Sequence, residues 1–243
     1  MRKPDRAPWR IALLLLACLG AAAAQAAPPV PPPPALEARA WILVDFHSGK
    51  VLAEHDADRR VEPASLTKLM TAYVIEHEIQ AGRLKLDDRV LISEKAWRTP
   101  GSRTFVEPGT RVPVRDLVLG MVVQSGNDAT VALAEHVAGS EELFVALMNQ
   151  QAQALGLRHT HFVNSTGLPH PEHYTTARDL AVLTRALIRE CPQHYAWYKK
   201  RSFTFNGITQ HNRNRLLWRD PRVDGVKTGH TESAGYCLVA SGV

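Results

Sequence analysis

Three short segments carry residue types that could do acyl chemistry together. Ser65 and Lys68 stand three residues apart in Ser65-Leu66-Thr67-Lys68. On a helix that spacing puts both on one face. A serine hydroxyl is a weak nucleophile until a base takes its proton. A lysine can be that base only when neutral, a state that burial and a second nearby cation both favour. Lys227 is the candidate second cation. Ser125-Gly126-Asn127 could add a proton-shuttling hydroxyl and an amide that holds both a substrate and Lys68. Lys227-Thr228-Gly229 leads into an apolar run with strand character. Glycine on a strand admits another backbone at close range, so an extended substrate could lie along that edge by strand addition. Lys227 would then supply positive potential and Thr228 a hydroxyl donor.

Each segment alone has an ordinary explanation. Lys68 reads as a solvated helix lysine, Ser125-Gly126-Asn127 as an interhelical turn, and Lys227-Thr228-Gly229 as part of a hairpin. Their joint occurrence in this order, at a helix start, an interhelical turn and a strand, favours the chemical reading.

The elements that must position these groups follow from periodicity and turn residues. Trp41 to Val44 and Val51 to Glu54 read as a β-hairpin around His47-Ser48-Gly49-Lys50. Residues from about 65 to 200 read as mainly helical. One helix follows Pro63-Ala64 and ends at Gly82. Another spans Val114 to Val123 and stops at Ser125-Gly126-Asn127. Further helices span Ala129 to Val137, Glu141 to Leu155, and Thr176 to about Arg189. Strand character returns at Val223 to Val226 and at Ala234 to Ser241. The expected fold is α/β, with a largely antiparallel sheet built from both ends of the chain, flanked by helices, and a helical subdomain from its middle.

The N-terminus reads as an export signal. Arg2, Lys3, Arg6 and Arg10 precede the apolar run Ile11 to Leu19, and Ala24-Gln25-Ala26 fits a cleavage site. Residues 1–26 are therefore expected to be a signal peptide, 27–37 a proline-rich linker, and 38–243 the folded domain. The signal carries a net +3 of the whole-chain +5. The remaining basic balance gives no footprint for nucleic acid. Cys191 and Cys237 are expected to be two free thiols, Cys237 in a buried strand. Among the 11 histidines, His159 with His161 and His170 with His173 are the tightest pairs. No His-Glu-x-x-His pattern accompanies them. They read as surface-loop histidines, so neither a metal nor another cofactor is expected. His47, His55, His77 and His194 gain no assigned partners.

The longer context of the motifs resembles the serine D-alanyl-D-alanine carboxypeptidases, the low-molecular-mass penicillin-binding proteins. The segments that carry the resemblance are Arg60 to Thr71, Phe105 to Gly109, Gln124 to Ala129, Phe162 to Leu168, Asn212 to Arg215 and Val223 to Thr231, with Ala234-Gly235-Tyr236 after them. The resemblance implies a β-lactamase/transpeptidase-like fold. Ser65 would attack the penultimate D-Ala carbonyl of a peptidoglycan stem peptide, and Lys68 would take its proton. Ser125 and Lys227 would relay or stabilise protons and charge. Asn127, Lys227, Thr228, Gly229 and His230 would bind substrate. The backbone N–H groups of Ser65 and His230 would form an oxyanion hole. β-Lactams would be covalent inhibitors. The implied place of work is the periplasm, as a monomer.

The resemblance also sets expectations that this chain does not meet. The family's catalytic domain continues past the strand at Ala234 to Ser241 with another strand, a helix and a basic residue that meets the substrate's terminal carboxylate. The chain stops at Val243, so the domain is expected to be incomplete at its C-terminus. Its residues support no membrane attachment. Two alternatives stay open: a D,D-endopeptidase of the same family, and an inert penicillin-binding module. A class A β-lactamase is disfavoured, because Glu172 lies in no Glu-x-x-Leu-Asn pattern.

Overall fold

The computed structural model describes residues 32–33 and 35–243. The expected signal peptide and most of the proline-rich linker lie outside the described residues. Residues 38–243 form one compact unit.

The chain enters that unit through the hairpin β1 (Trp41–Val44) and β2 (Val51–His55). A single 3-10 turn, Ala64–Thr67, then runs directly into α1 (Lys68–Gln80). Lys68 through Glu76 of α1 are buried. A helix covered on all sides in this way is a core helix rather than a surface one. A short hairpin, β3 (Arg89–Leu91) with β4 (Arg111–Pro113), brackets a loop and a five-residue helix. The chain continues through α2 (Val114–Leu119) into a π-helical turn, Gly120–Gln124. That turn ends at Ser125, which adopts a left-handed backbone with φ 69°. α3 (Asn127–Ala138), α4 (Glu141–Ala154) and α5 (Ala177–Glu190) follow. Ser140 and Thr176 start α4 and α5 by accepting hydrogen bonds from the N–H groups of Leu143 and Asp179. Gly139 ends α3 in the left-handed region that non-glycine residues rarely adopt. The chain closes with the hairpin β5 (Ser202–Phe205) and β6 (Ile208–His211), then the long hairpin β7 (Val223–Thr231) and β8 (Gly235–Gly242).

The core lies among the helices. Leu69, Met70 and Ile75 of α1 pack with Leu117, Leu133, Phe144, Met148 and Leu183 from the other four helices, all fully buried. Burying one such side chain contributes about 2 kcal/mol.

The mixed α/β class and antiparallel pairing agree with the sequence reading, and one detail is corrected. The strands form four separate two-stranded ladders among the described residues, not one sheet built from both chain ends. The start of β1 and the β7–β8 turn meet through a side chain instead: the Arg39 guanidinium donates to the carbonyl oxygen of Ala234. Three-residue strands such as β3 and β4 are too short to show alternation, and they fall in the region expected to be helical. The β5–β6 hairpin was also missed. Its signal is Asn206-Gly207, whose φ values of 47° and 76° form the positive-φ turn typical of tight hairpins.

Two histidine readings are corrected as well. His159, His161 and His170 are exposed, but His173 is buried with only 2 % of its surface accessible. His194 is partnered, through Nδ1, by the buried Glu76 carboxylate. Cys191 and Cys237 are free thiols, and Cys237 is half-buried rather than buried. Among the described residues no helix is long and apolar enough to cross a membrane.

Candidate active site

Ser65 and Lys68 occupy the 3-10 turn and the first residue of α1. A 3-10 turn has three residues per turn, so residues i and i+3 eclipse. The sequence spacing therefore stacks the two side chains, with Lys68 Nζ 3.1 Å from Ser65 Oγ. Ser65 is half-buried and reachable, whereas Lys68 is 2 % exposed. Lys68 Nζ also donates to Asn127 Oδ1 at 2.6 Å and to the Thr166 carbonyl oxygen at 2.8 Å. The Asn127 amide is oriented by its other end, since Nδ2 donates to the Pro100 carbonyl at 2.6 Å. Burial pushes the Lys68 amine well below the usual lysine range, and the positive charges of Lys227 and Arg213 add to that effect.

A neutral amine has two N–H groups and one lone pair. At Lys68 the two carbonyl-type oxygens, of Asn127 and Thr166, can only accept hydrogen bonds. They claim both N–H groups, so the lone pair is left facing the Ser65 hydroxyl.

Ser125 and Lys227 form a second polar pair. Lys227 Nζ donates to Ser125 Oγ at 2.9 Å and to the Thr228 carbonyl at 2.9 Å. Ser125 is 3 % exposed, and its left-handed backbone aims the hydroxyl back across the site. Lys227 is 3 % exposed, and burial with Arg213 nearby lowers its pKa to about 7. The π-turn that delivers Ser125 is a device found at functional sites in helices.

Strand β7 lies against the 3-10 turn. A Cβ built on Gly229 would stand 3.1 Å from the Ser65 nitrogen and 3.2 Å from the Pro63 carbonyl oxygen. That spacing leaves little room for any side chain there, which accounts for glycine at this position. Thr228 is half-buried and His230 exposed, so both remain accessible along the strand. The structure thus joins Ser65, Lys68 and Asn127 by direct hydrogen bonds, joins Ser125 to Lys227 by another, and sets Gly229 against the turn by packing. Thr228 and His230 follow along the same strand.

Four contributors were absent from the expected site. Arg213, exposed between the buried Asn212 and Asn214, lowers both lysines. Asn214 holds that segment to β7 by donating to the Gly225 carbonyl at 2.8 Å. The alternation of buried amide, exposed cation and buried amide in Asn212-Arg213-Asn214 is the signal that could have pointed to it. Thr166 contributes only its carbonyl, for which side-chain type gives no signal. Asp128 is fully buried and accepts from the N–H groups of Thr104 at 2.8 Å and Phe105 at 2.9 Å. It fixes the loop whose Ser102 carbonyl receives the Asn127 N–H at 2.7 Å. Among the described residues no group of three or more His, Cys, Asp or Glu side chains is placed to hold a metal ion.

Comparison with known proteins identifies the family. The D-alanyl-D-alanine carboxypeptidase family profile matches residues 24–243. D-alanyl-D-alanine carboxypeptidase DacC of Escherichia coli is 52% identical over 214 residues, covering 85% of this chain and 54% of that protein. The chain therefore spans about half the length of the curated relatives it matches. The crystal structure of penicillin binding protein 5 from Haemophilus influenzae superposes with a TM-score of 0.86 at 45% identity, covering 88% of this chain and 63% of that one. Penicillin-Binding Protein D2 from Listeria monocytogenes, in its ampicillin-bound form, superposes with a TM-score of 0.79 at 30% identity, covering 87% of each chain. With the family profile matched across the whole compact unit and the three motifs gathered around Ser65, this chain belongs to the D-alanyl-D-alanine carboxypeptidase family.

Proposed function

We propose that this chain is a serine acyl-transfer enzyme that removes the terminal D-Ala from peptidoglycan stem peptides, and that β-lactams trap it as a Ser65 ester. The observation that carries this reading is the buried Lys68 amine 3.1 Å from the Ser65 hydroxyl, with both of its other partners able only to accept hydrogen bonds.

The geometry supports the following mechanism. Ser65 O–H gives its proton to Lys68 Nζ as the oxygen attacks the penultimate D-Ala carbonyl carbon. The carbonyl oxygen becomes an oxyanion, received by the backbone N–H groups of Ser65 and His230. One such donor contributes about 3 kcal/mol. Collapse of the tetrahedral species breaks the peptide bond, and the departing D-Ala amine takes a proton relayed from Lys68 through Ser125. Lys227 steadies the Ser125 hydroxyl and, when protonated, attracts the substrate's terminal carboxylate, to which Thr228 can donate. Water then attacks the ester carbonyl. Lys68 acts as base again, and Ser65 leaves with its proton restored. Asn127 holds the substrate amide and aligns Lys68. No step requires a metal or an organic cofactor. The export signal read in residues 1–26 supports work in the periplasm, and we propose a monomer.

Labelling with a fluorescent penicillin, beside Ser65→Ala, tests the reading. A denaturation-resistant label that vanishes in the variant is expected, together with D-Ala release from a linear pentapeptide. A folded protein that takes no label would sink it. Product analysis on linear against cross-linked peptidoglycan separates carboxypeptidase from endopeptidase action.

A further inference from the structure

Thr67 stands between the nucleophile and its base, and it is fully buried. Its hydroxyl meets His173 Nε2 at 2.8 Å, across 106 residues of sequence. The other ring nitrogen, Nδ1, faces the Val163 N–H at 3.2 Å. A backbone N–H can only donate, so Nδ1 is the acceptor. The ring hydrogen therefore sits on Nε2, which donates to Thr67 Oγ1. The tautomer is set by the fold rather than left free. Phe162 packs edge-on against the ring, with centroids 5.7 Å apart. Burial, with His161 and His170 nearby, lowers the His173 pKa to about 4, which keeps the ring neutral near pH 7.

The same segment reaches the site by a second route. Residues 161 and 174 pair as an antiparallel bridge, and Thr175 bridges to Val61, just ahead of the 3-10 turn. Inside this loop the Asn164 side-chain oxygen accepts from the N–H groups of Thr166 and Gly167. That turn presents the Thr166 carbonyl to Lys68 at 2.8 Å. Gly167 passes so close that a Cβ there would lie 1.8 Å from the Ala64 carbonyl oxygen. The loop thus grips the turn on both sides of Ser65, and His173 is its one side-chain contact with the turn's own hydroxyl.

We infer that His173 is a positioning residue, which holds Thr67 through an Nε2–H hydrogen bond and thereby sets the Ser65 to Lys68 geometry for acylation. The inference rests on the acyl-transfer reading above. Glutamine can accept from Val163 through its side-chain oxygen and donate to Thr67 through its nitrogen. Leucine can do neither.

The test is the acylation rate with a fluorescent penicillin, in wild type, His173→Leu and His173→Gln, each with a urea midpoint as a fold check. A small misplacement of reacting groups costs about 100-fold, so His173→Leu is expected to slow acylation by that order and His173→Gln to restore it to within a few-fold. Wild-type acylation in His173→Leu overturns the inference. Equal impairment of both variants also overturns it, since the hydrogen bond would then not matter. Should His173→Leu fail to fold, Thr67→Val removes the same bond and is held to the same expected loss. Should wild type take no label, the acyl-transfer reading falls, and the inference is judged on NMR of isotope-labelled lysine instead. Lys68 would then move toward a solvated-lysine signal in His173→Leu but not in His173→Gln, and an unmoved Lys68 in His173→Leu overturns it.

Discussion

Lys68 and Lys227 are buried almost equally, at 2 % and 3 % exposed, yet they are held by different kinds of structure. Around Lys68 every partner is itself fixed. Asn127 is held at its other end by Pro100, and Thr166 is presented by the Asn164 turn. Lys227 projects from a strand, and one of its two acceptors is the carbonyl of its own neighbour, Thr228. The hairpin that carries it shows solvent on its far face, where Tyr236 and Leu238 are exposed. The lesson is a division of labour. The helical half of the site is over-determined and holds one amine well below the ordinary lysine range. The strand half is lightly constrained and leaves a second amine free to titrate. Burial is the largest cause at both: Lys68 is pushed well below the ordinary range with Lys227 and Arg213 adding to it, and Lys227 is lowered to about 7 with Arg213 adding to it.

The sharpest way to break this comparison is to remove the amine assigned as base. Lys68→Ala is expected to slow acylation by about 1,000-fold, the middle of the range that general base catalysis provides. Lys227→Ala should cost markedly less, because its charge steadies substrate rather than taking the first proton. Acylation time courses at saturating penicillin measure both. Equal losses would show that the two lysines are not functionally distinct.

The over-determined half can be loosened from behind. Asp128 touches neither lysine by hydrogen bond, but it gathers the N–H groups of Thr104 and Phe105 and so fixes the loop under Asn127. Asp128→Ala orphans those buried donors, at an expected cost of about 3 kcal/mol in urea unfolding. Arg222→Ala, whose exposed ion pair with Asp220 belongs to the lightly held half, should change stability by less than about 0.5 kcal/mol. A small loss at Asp128 would mean that the loop is held by packing instead.

The same contrast explains what could be read from sequence. Ser65 and Lys68 were legible because one turn of helix brings them together without help from the rest of the chain. Gly229 was legible as a close-approach residue, and Gly82 as a helix end, because each demand is local. The α3 to α5 helices followed from their periodicity and from caps such as Thr176. What escaped was set by long-range packing. Arg213 reaches both lysines from a segment near the C-terminal hairpin, the Thr166 carbonyl gives no residue-type signal, and His173 meets Thr67 across 106 residues. The separation of β1–β2 from β7–β8 belongs to the same class, since alternation marks a strand but not its neighbour.

The finest expected effect is a titration, and it tests whether Lys227 is the free-titrating partner. Its pKa is lowered to about 7, by burial first and by Arg213 second. Below that value the amine is charged and attracts a substrate carboxylate. Above it the attraction is lost. The KM for a linear pentapeptide should therefore rise, by about tenfold, as pH increases through about 7. On the acid side kcat should fall where Lys68 takes up a proton. Arg213→Ala removes a positive charge that favours the neutral amine, so the KM midpoint should shift to higher pH. Lys227→Met should flatten the KM profile while leaving the acid limb of kcat in place. A KM profile that keeps its shape in Lys227→Met would assign the titration to another group. An unmoved midpoint in Arg213→Ala would show that burial alone sets the Lys227 value, and that the strand half of the site is insulated from the segment that carries Arg213.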